Sequence, residues 1–496
     1  MQLHELLGGV DVHEVVGDPH VEVTAITHDT RHVVPGACFA CIPGATTDGH
    51  LHAPDAVASG ARSLLVERHL DLDVAQVRVS KVRGALGPIA ATFFRHPSRS
   101  LRCLGVTGTN GKTTTTYLLE SIAHAAGERV GVIGTVGARI DGVVVPGERT
   151  TPEAPELQAL LGRMRDEALA TVAMEVSSHA LHQHRVDGTW FEAACFTNLS
   201  HDHLDYHGTI EAYFEAKAQL FATNRTAVAV VNGDDRHGVA LAARARATGL
   251  LTRTFGVAPG ATAPDADFVA ERVELGDHGA RFVLTDRAGG RTAPVRSSLE
   301  GRFNVSNSIA AAATALATGL SFEATVAGLE APIAVPGRFE RVDTGQPFIV
   351  VVDYAHTPDA LDAVLETARA LADNGAKVIT VFGCGGERDH EKRPIMGSVA
   401  GGASDLVVLT SDNPRSEPAD AIVEAVVPGL RDTPTMFIVE LDRRAAIRVA
   451  LAQAHAGDVV VIAGKGHEPG QTVGDVTRPF DDRQVAREEL EARQCA

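Results

Sequence analysis

The chain has 496 residues, 44% of them hydrophobic and 22% charged, with a formal net charge of −18. A surface this acidic repels nucleic acid and anionic lipid, so an anionic ligand must be held by local positive groups. The length calls for roughly three domains of ~150 residues rather than one core, and the dominance of alanine, valine and glycine suits α/β layers.

The N-terminus carries no signal-peptide pattern, and no apolar run approaches the ~18 residues of a membrane span. A cytoplasmic, reduced protein without a membrane partner is expected. The first part is short and mixed, with "VTAITHDTRHVVPGACFACIPG" as its clearest strand–turn content. Cys38 and Cys41 form a C-x-x-C there, but no second pair or histidine cluster completes a zinc site, so they read as buried strand residues. "FFRHPSRS", near 93–100, reads as a linker.

Strand-like runs that end in polar or glycine-rich clusters then follow one another. "LRCLGV" runs into "TGTNGKTT", "ATVAMEV" into "SSH", and "AACFTN" into "LSHDHLDYH". The Pro-rich "APIAVPGRFERV", near 331–342, interrupts the series. "FIVVV" runs into "DYAHTPD", "AKVITVFG" into "CGGERD", "DLVVLT" into "SDNPR", and "DVVVIAG" into "KGHEPG". Short Val/Ile-rich runs separated by helical stretches predict buried parallel strands. Ligands of open α/β sheets bind beyond the carboxyl ends of the strands, where every one of these clusters falls. Three parts result: 1–98, 99–332 and 333–496.

"GVTGTNGKTTTT" resembles a phosphate loop but has Val106 where a Walker A loop has its first glycine. Its context is right: an apolar strand, a Gly-rich turn, then Lys112 and Thr113 opening a helix. Backbone N–H groups and the helix N-terminus would receive phosphates, Lys112 would neutralise their oxygens, and the Thr113 hydroxyl could bind Mg²⁺. Glu175, at the end of "ATVAMEV", suits a metal ligand, though strand-end glutamates also serve as solvated turn residues. "NLSHDHLDYHG" places His201, Asp202, His203, Asp205 and His207 within seven positions. That cluster reads as a polar loop or, by residue type, a metal site.

The segments "GTNGKTT", "TTPEA", "MEVSSHAL", "TNLSHDHLDYHG", "EAKAQLF", "GRFNVSNSIAA", "GRFE", "DYAHTPDAL", "GCGGERD", "SDNPR" and "GKGHE" occur in the order seen in the Mur ligases. The chain resembles that family over nearly its whole length, and most closely those members that build UDP-N-acetylmuramoyl-tripeptide. The family's phosphate loop is shorter than a general Walker A, which accounts for Val106. The resemblance implies three α/β domains: an N-terminal UDP-substrate domain, a central phosphate-loop ATPase domain with a mostly parallel sheet, and a C-terminal Rossmann-like domain that takes the amino acid.

It also implies a reaction. ATP activates a carboxylate as an acyl phosphate, and an amine then displaces phosphate to form an amide. The expected substrates are ATP, UDP-N-acetylmuramoyl-L-alanyl-D-glutamate and meso-2,6-diaminopimelate, or L-lysine in its place. A non-catalytic nucleotide-binding protein with this fold is the alternative of another class. A monomer using two Mg²⁺ ions is expected. For ATP the resemblance implies Gly108, Thr109, Asn110, Gly111, Lys112, Thr113, Thr114, Asn304, Asn307, Arg338, Asp353 and His356, with Lys392 also facing phosphates. The implied metal ligands are Thr113, Glu175, His203 and Lys217. Read alone, Lys217 is an ordinary lysine on an amphipathic helix, but its place in "EAKAQLF" matches the lysine carbamylated in these ligases (N6-carboxylysine). Lys112, Glu175, His203 and Lys217 are thus the implied catalytic set.

The UDP-substrate would meet His28, Thr30, Ala45, Thr46, Thr47, Thr150, Thr151, Ser177, Gln183 and Arg185. Arg149 stands where an asparagine is common. The amino acid would meet Arg388, Asp412, Asn413, Pro414, Arg415, Gly464 and Glu468. Two arginines and two acids match the two carboxylates and two amines of diaminopimelate.

Overall fold

The computed structural model describes all residues except 45, 46, 146, 148, 260–264, 495 and 496. Its described strands form three large sheets and one hairpin. The first sheet has the order β1 (Val12–Val16), β5 (Ala75–Val79), β4 (Ser63–Val66), β3 (Ala37–Ala40) and β2 (Ala25–Thr27), with only the β1–β5 pair antiparallel. Cys38 and Cys41 lie buried in and just after β3. Burial pushes their thiols up, to about 11 and about 12, as an apolar strand dictates.

The second sheet has eleven strands. Its parallel centre runs β14 (Phe268–Gly276), β13 (Leu251–Val257), β12 (Thr226–Asn232), β11 (Phe191–Phe196), β6 (Arg102–Thr107), β10 (Thr171–Glu175) and β7 (Val130–Gly134). Antiparallel strands extend both edges: β15 (Gly279–Asp286) and β16 (Arg291–Ser297) beyond β14, β8 (Gly137–Ile140) and β9 (Val143–Val145) beyond β7. These additions have no counterpart among the apolar runs that mark the central strands. In β8, β15 and β16 buried residues interleave with more exposed ones instead of forming the continuous apolar runs of the centre, and β9 is a short, largely exposed valine run.

The third sheet has the order β17 (Glu340–Arg341), β18 (Ile349–Asp353), β22 (Val459–Ala463), β19 (Val378–Phe382), β20 (Leu406–Leu409) and β21 (Met436–Val439), all parallel except β17. Insertion of β22 between β18 and β19 reverses the strand order, which opens a crevice at the carboxyl edge. Helices cover both faces and make two separate apolar layers. The hairpin β23 (Gly470–Val473) and β24 (Val476–Pro479) follows β22.

The expected linker at 93–100 is packed. Pro97 and Ser98 are buried, the Ser98 hydroxyl accepts from the Trp190 amide at 3.0 Å, and the Arg99 guanidinium lies over the Trp190 ring. Composition marked a break in regular structure there, but the turn is held by the one tryptophan of the chain.

Candidate functional site

The carboxyl edge of β6 turns sharply into the helix Lys112–Ala125. Gly111 has φ of +84°, and a Cβ there would sit 2.2 Å from Asn307 Oδ1. Only glycine meets both demands. Asn307 belongs to the helix Arg302–Ala317, so the turn fits against an amide from a distant segment. Asn304, one turn earlier, is buried and spends its side chain on the Glu300 carbonyl and the Asn307 amide. It supports Asn307 and does not line the cavity beside the loop.

That cavity has a volume of about 420 Å³ and is lined by Asn110, Gly111, Thr113, Thr114, Asn307 and Arg338, among others. Arg338 comes from the third part of the chain and donates from Nη2 to Thr113 Oγ1 at 3.1 Å, with its guanidinium over the Tyr354 ring. Asp353 also lines the cavity, but its carboxylate accepts from the Phe339 and Ala355 amides at 2.6 and 2.7 Å. It therefore shapes the turn that carries Arg338.

A second cavity, of about 400 Å³, opens on the other side of the loop. Here Lys112 Nζ donates to the carbonyls of Gly108 and Thr109, and Lys217 Nζ donates to the same Gly108 carbonyl at 2.8 Å. Lys217 is fully enclosed. Burial first, then the adjacent Lys112 charge, drive its amine well below the usual lysine range, while Asp202 opposes the shift. Such a lysine has a neutral, nucleophilic form in reach. Glu175 accepts at one oxygen from the Thr135 amide and at the other from the Thr135 hydroxyl, at 2.9 and 3.0 Å. Burial pulls His203 down to about 3, with Asp202 opposing, so its imidazole is neutral at pH 7 and keeps a lone pair.

Asp202, one of the polar run that reads as a loop or a metal site, has no role of its own assigned from the sequence. It is buried, and burial alone would raise its pKa, yet His356, His203 and Lys392 hold it below the usual carboxylate range. Its carboxylate lies 3.8 Å from both His356 and Lys392, joining the central and C-terminal loops. His201 reaches Asp389 at 2.7 Å across the same boundary.

Thr150, Thr151, Ser177 and Arg185 line the second cavity, together with Arg149. Arg185 pairs with Glu153 at 3.0 Å, and the same buried glutamate draws Arg83 at 3.1 Å and Arg149 at 3.6 Å. Three arginines around one carboxylate leave surplus positive charge at the cleft. Gln183 stands behind this wall, bonded to Arg185 and Tyr206. His28, Thr30 and Thr47 lie outside the three cavities, on loops after β2 and β3. His28 approaches Glu156 at 3.4 Å, Thr30 opens a short 3-10 turn, and Thr47 bonds His52. Ala45 and Thr46 fall outside the described residues.

A third cavity, of about 120 Å³, lies at the carboxyl edge of the third sheet and shares Asp202, His203, Tyr354, His356 and Arg388 with the second. Asp412, Asn413, Arg415, Gly464 and Glu468 line it as well. Asn413 donates to Glu468 at 2.7 Å, and Arg415 donates from Nη1 to the Gly386 carbonyl at 2.6 Å. Pro414 packs away from the cavity, its carbonyl closing on Gly386. Lys465, missed in the sequence because it reads as a loop lysine, is buried and bonds both Asn413 and Glu468.

A phosphate loop and a pocket of arginines and acids that share one cleft define an α/β enzyme built to bring a nucleotide and a small charged substrate together. The chain belongs to the Mur ligase family. It matches the Mur ligase family catalytic domain over residues 22–95, the Mur ligase middle domain over 106–315 and the Mur ligase glutamate ligase domain over 337–466. It is 45% identical to the UDP-N-acetylmuramoyl-L-alanyl-D-glutamate--2,6-diaminopimelate ligase of Solibacter usitatus, covering 99% of this chain and 98% of that one. The protein of the same name from Streptomyces coelicolor is 44% identical, covering 96% and 94%. A solved structure of a ligase of that name superposes with a TM-score of 0.69 at 34% identity, covering 100% and 99%. Folylpolyglutamate synthase of Mycobacterium tuberculosis, solved with ADP and AMPPCP, shares the fold over 76% of this chain and 91% of that one, with a TM-score of 0.63 at 21% identity.

Proposed function

We infer that the chain is an ATP-dependent amide ligase of peptidoglycan precursor synthesis. It adds meso-2,6-diaminopimelate to the D-glutamate γ-carboxylate of UDP-N-acetylmuramoyl-L-alanyl-D-glutamate. The γ-carboxylate attacks the γ-phosphorus of ATP and ADP leaves. The free amine of diaminopimelate then attacks the acyl carbon, and phosphate leaves. Residues 1–98 take the UDP end, 99–332 take ATP, and 333–496 take the amino acid, in a monomer acting in the cytoplasm.

The observation that carries this reading is the shared wall of the cavities. Tyr354 borders all three, so a nucleotide by the phosphate loop, an acyl group by Glu175 and an amine by Glu468 meet at one point. Lys112 and Arg338 face the phosphates. Surplus charge at Arg149 and Arg185 draws the anionic substrate, and Arg388 with Arg415 opposes Asp412 with Glu468 for a zwitterion that has two of each group. The Thr113 hydroxyl and the Glu175 carboxylate are oxygen donors that fit one Mg²⁺, and the neutral His203 imidazole would serve a second ion. When bound, the ion supplies charge against the phosphate oxygens. Lys217 in its ammonium form fits no cation. Its neutral amine adds CO₂ to give a carbamate and a proton, and the carbamate fits a second ion.

The test is a panel of amino acids with the UDP-dipeptide and ATP, read by product mass and ADP release. Diaminopimelate should give the tripeptide mass with one ADP per product. Preference for lysine overturns the amino-acid assignment, and no substrate-dependent ADP overturns the ligase reading.

A further inference from the structure

The loops after β20 and β22 are braced from behind by a pair that lines none of the three cavities described above. Arg443 opens the helix Arg443–Gln453, and Asp482 opens the helix Asp482–Gln494. Both side chains are completely enclosed, 0% exposed each. Nε and Nη2 of the guanidinium each reach one carboxylate oxygen at 2.7 Å, the parallel two-point arrangement that only arginine makes. The remaining donations leave the pair. Nη1 reaches the Ser411 carbonyl at 3.2 Å, and Nη2 reaches the Ala463 carbonyl at 2.9 Å.

Those two carbonyls are informative. Ser411 immediately precedes Asp412, and Ala463 immediately precedes Gly464. One guanidinium thus ties the root of the loop carrying Asp412 and Arg415 to the root of the loop carrying Glu468. The strand between them, β19, is followed directly by Gly383, where a Cβ would lie 2.3 Å from the Thr410 carbonyl, so the three strand ends are tightly fitted. Across the loops Lys465 makes a matching tie, to Asn413 Oδ1 at 3.2 Å and Glu468 Oε2 at 3.0 Å. A buried ion pair is often no more stabilising than apolar side chains of the same volume. Stability is therefore a poor account of this one, and a fixed spacing between two loops is a good one.

We propose that Arg443 and Asp482 are positioning residues for amino-acid selection, setting the distance between the Arg415 loop and the Glu468 loop at the span of a diamino acid with a carboxylate at each end. This rests on the diaminopimelate reading. A substrate gripped from both loops senses their spacing. Lysine lacks the far carboxylate, is gripped from fewer points, and senses it little.

The test compares the wild type with Arg443→Met/Asp482→Leu, which removes the cross-loop donors without leaving a lone buried charge. Folding is checked by circular dichroism and thermal unfolding. A misplacement of about 1 Å costs on the order of 10²-fold, so kcat/KM for meso-diaminopimelate should fall roughly 10- to 100-fold, through KM. Use of lysine, and KM for ATP and for the UDP-dipeptide, should stay unchanged. Wild-type selectivity in the folded double variant overturns the proposal, and so does an equal loss with both amino acids. If the double variant does not fold, Arg443→Lys carries the test, because an ammonium cannot span both carbonyls and the carboxylate; selectivity should fall there too, and its retention overturns the proposal. The wild-type preference is measured first, so failure of the diaminopimelate reading is seen separately from failure of this one.

Discussion

Single side chains do unlike work in this site because their surroundings differ, and Lys217 is the plainest case. Its Nζ is buried against a carbonyl already shared with Lys112, and two ammonium groups on one acceptor repel. Loss of the proton relieves this, and the neutral amine can take CO₂. Lys217→Ala should therefore remain folded but lose turnover by roughly 10²-fold or more, the scale of one electrostatic group in a closed site. Wild-type turnover should also fall in CO₂-depleted buffer and recover with bicarbonate, while ¹³C-bicarbonate should give a carbamate signal absent in the variant. Full activity of Lys217→Ala without CO₂ would sink the assignment. Arg415 acts by geometry. Gly386 already takes one of its N–H groups, and in the proposed function the rest of the guanidinium would hold a far carboxylate. Loss of one partner of such a pair costs about 2–5 kcal/mol, so Arg415→Ala should lower kcat/KM for diaminopimelate about 30- to 4,000-fold. Lysine and ATP kinetics should hardly change. An equal fall for both amino acids makes Arg415 structural.

Turns and loops at strand ends hold these groups, and the phosphate loop shows how narrowly. Gly111→Ala forces a left-handed backbone on a residue with a Cβ, about 1–2 kcal/mol, and drives that Cβ into the Asn307 amide. ATP affinity measured by calorimetry should drop at least about tenfold, while diaminopimelate KM should not move. Normal ATP affinity in that variant would show that Asn307 yields freely. The same element level separates what the sequence disclosed from what it hid. Continuous apolar runs such as "DVVVIAG" and "ATVAMEV" correspond to central parallel strands, since burial on both faces leaves no polar residue to confuse the pattern. The added strands Gly279–Asp286 and Arg291–Ser297 were hidden because buried and exposed positions interleave in them and polar residues break up the apolar run. Glycine-rich strand ends and the phosphate loop were legible by chemistry. Glu153, Lys465 and Arg443 were not, because a charged residue in a loop or at a helix start looks solvated until the fold encloses it. Asn304 shows the converse: its type suits adenine, yet its amide faces the Glu300 carbonyl and Asn307.

Across the whole molecule the site exists only because segments far apart in sequence meet. Asp202 faces His356 and Lys392, His201 faces Asp389, and Arg338 reaches Thr113 at the head of the phosphate-loop helix. Each contact joins the loops at the carboxyl edge of the sheet that holds β6 to those at the carboxyl edge of the sheet that holds β20. An acyl phosphate is hydrolysed by water, so keeping the two sheets together while the amine arrives decides whether ATP is spent on an amide or wasted. Arg338 is the contact best placed to matter, because it touches the residue beside Lys112 and is seated on Tyr354, which borders the amino-acid cavity. Arg338→Ala should leave nucleotide affinity within about tenfold, since the loop amides and Lys112 remain, but lower kcat roughly 10²- to 10³-fold. The ADP formed per amide should rise above one, because an open site admits water. Arg338→Lys should recover part of the rate, as charge returns without the planar fork over the tyrosine ring. Measuring ADP and tripeptide in the same reaction decides the matter: an unchanged kcat with one ADP per product means that the two sheets are held together without Arg338, and that the Asp202 and His201 contacts carry closure instead.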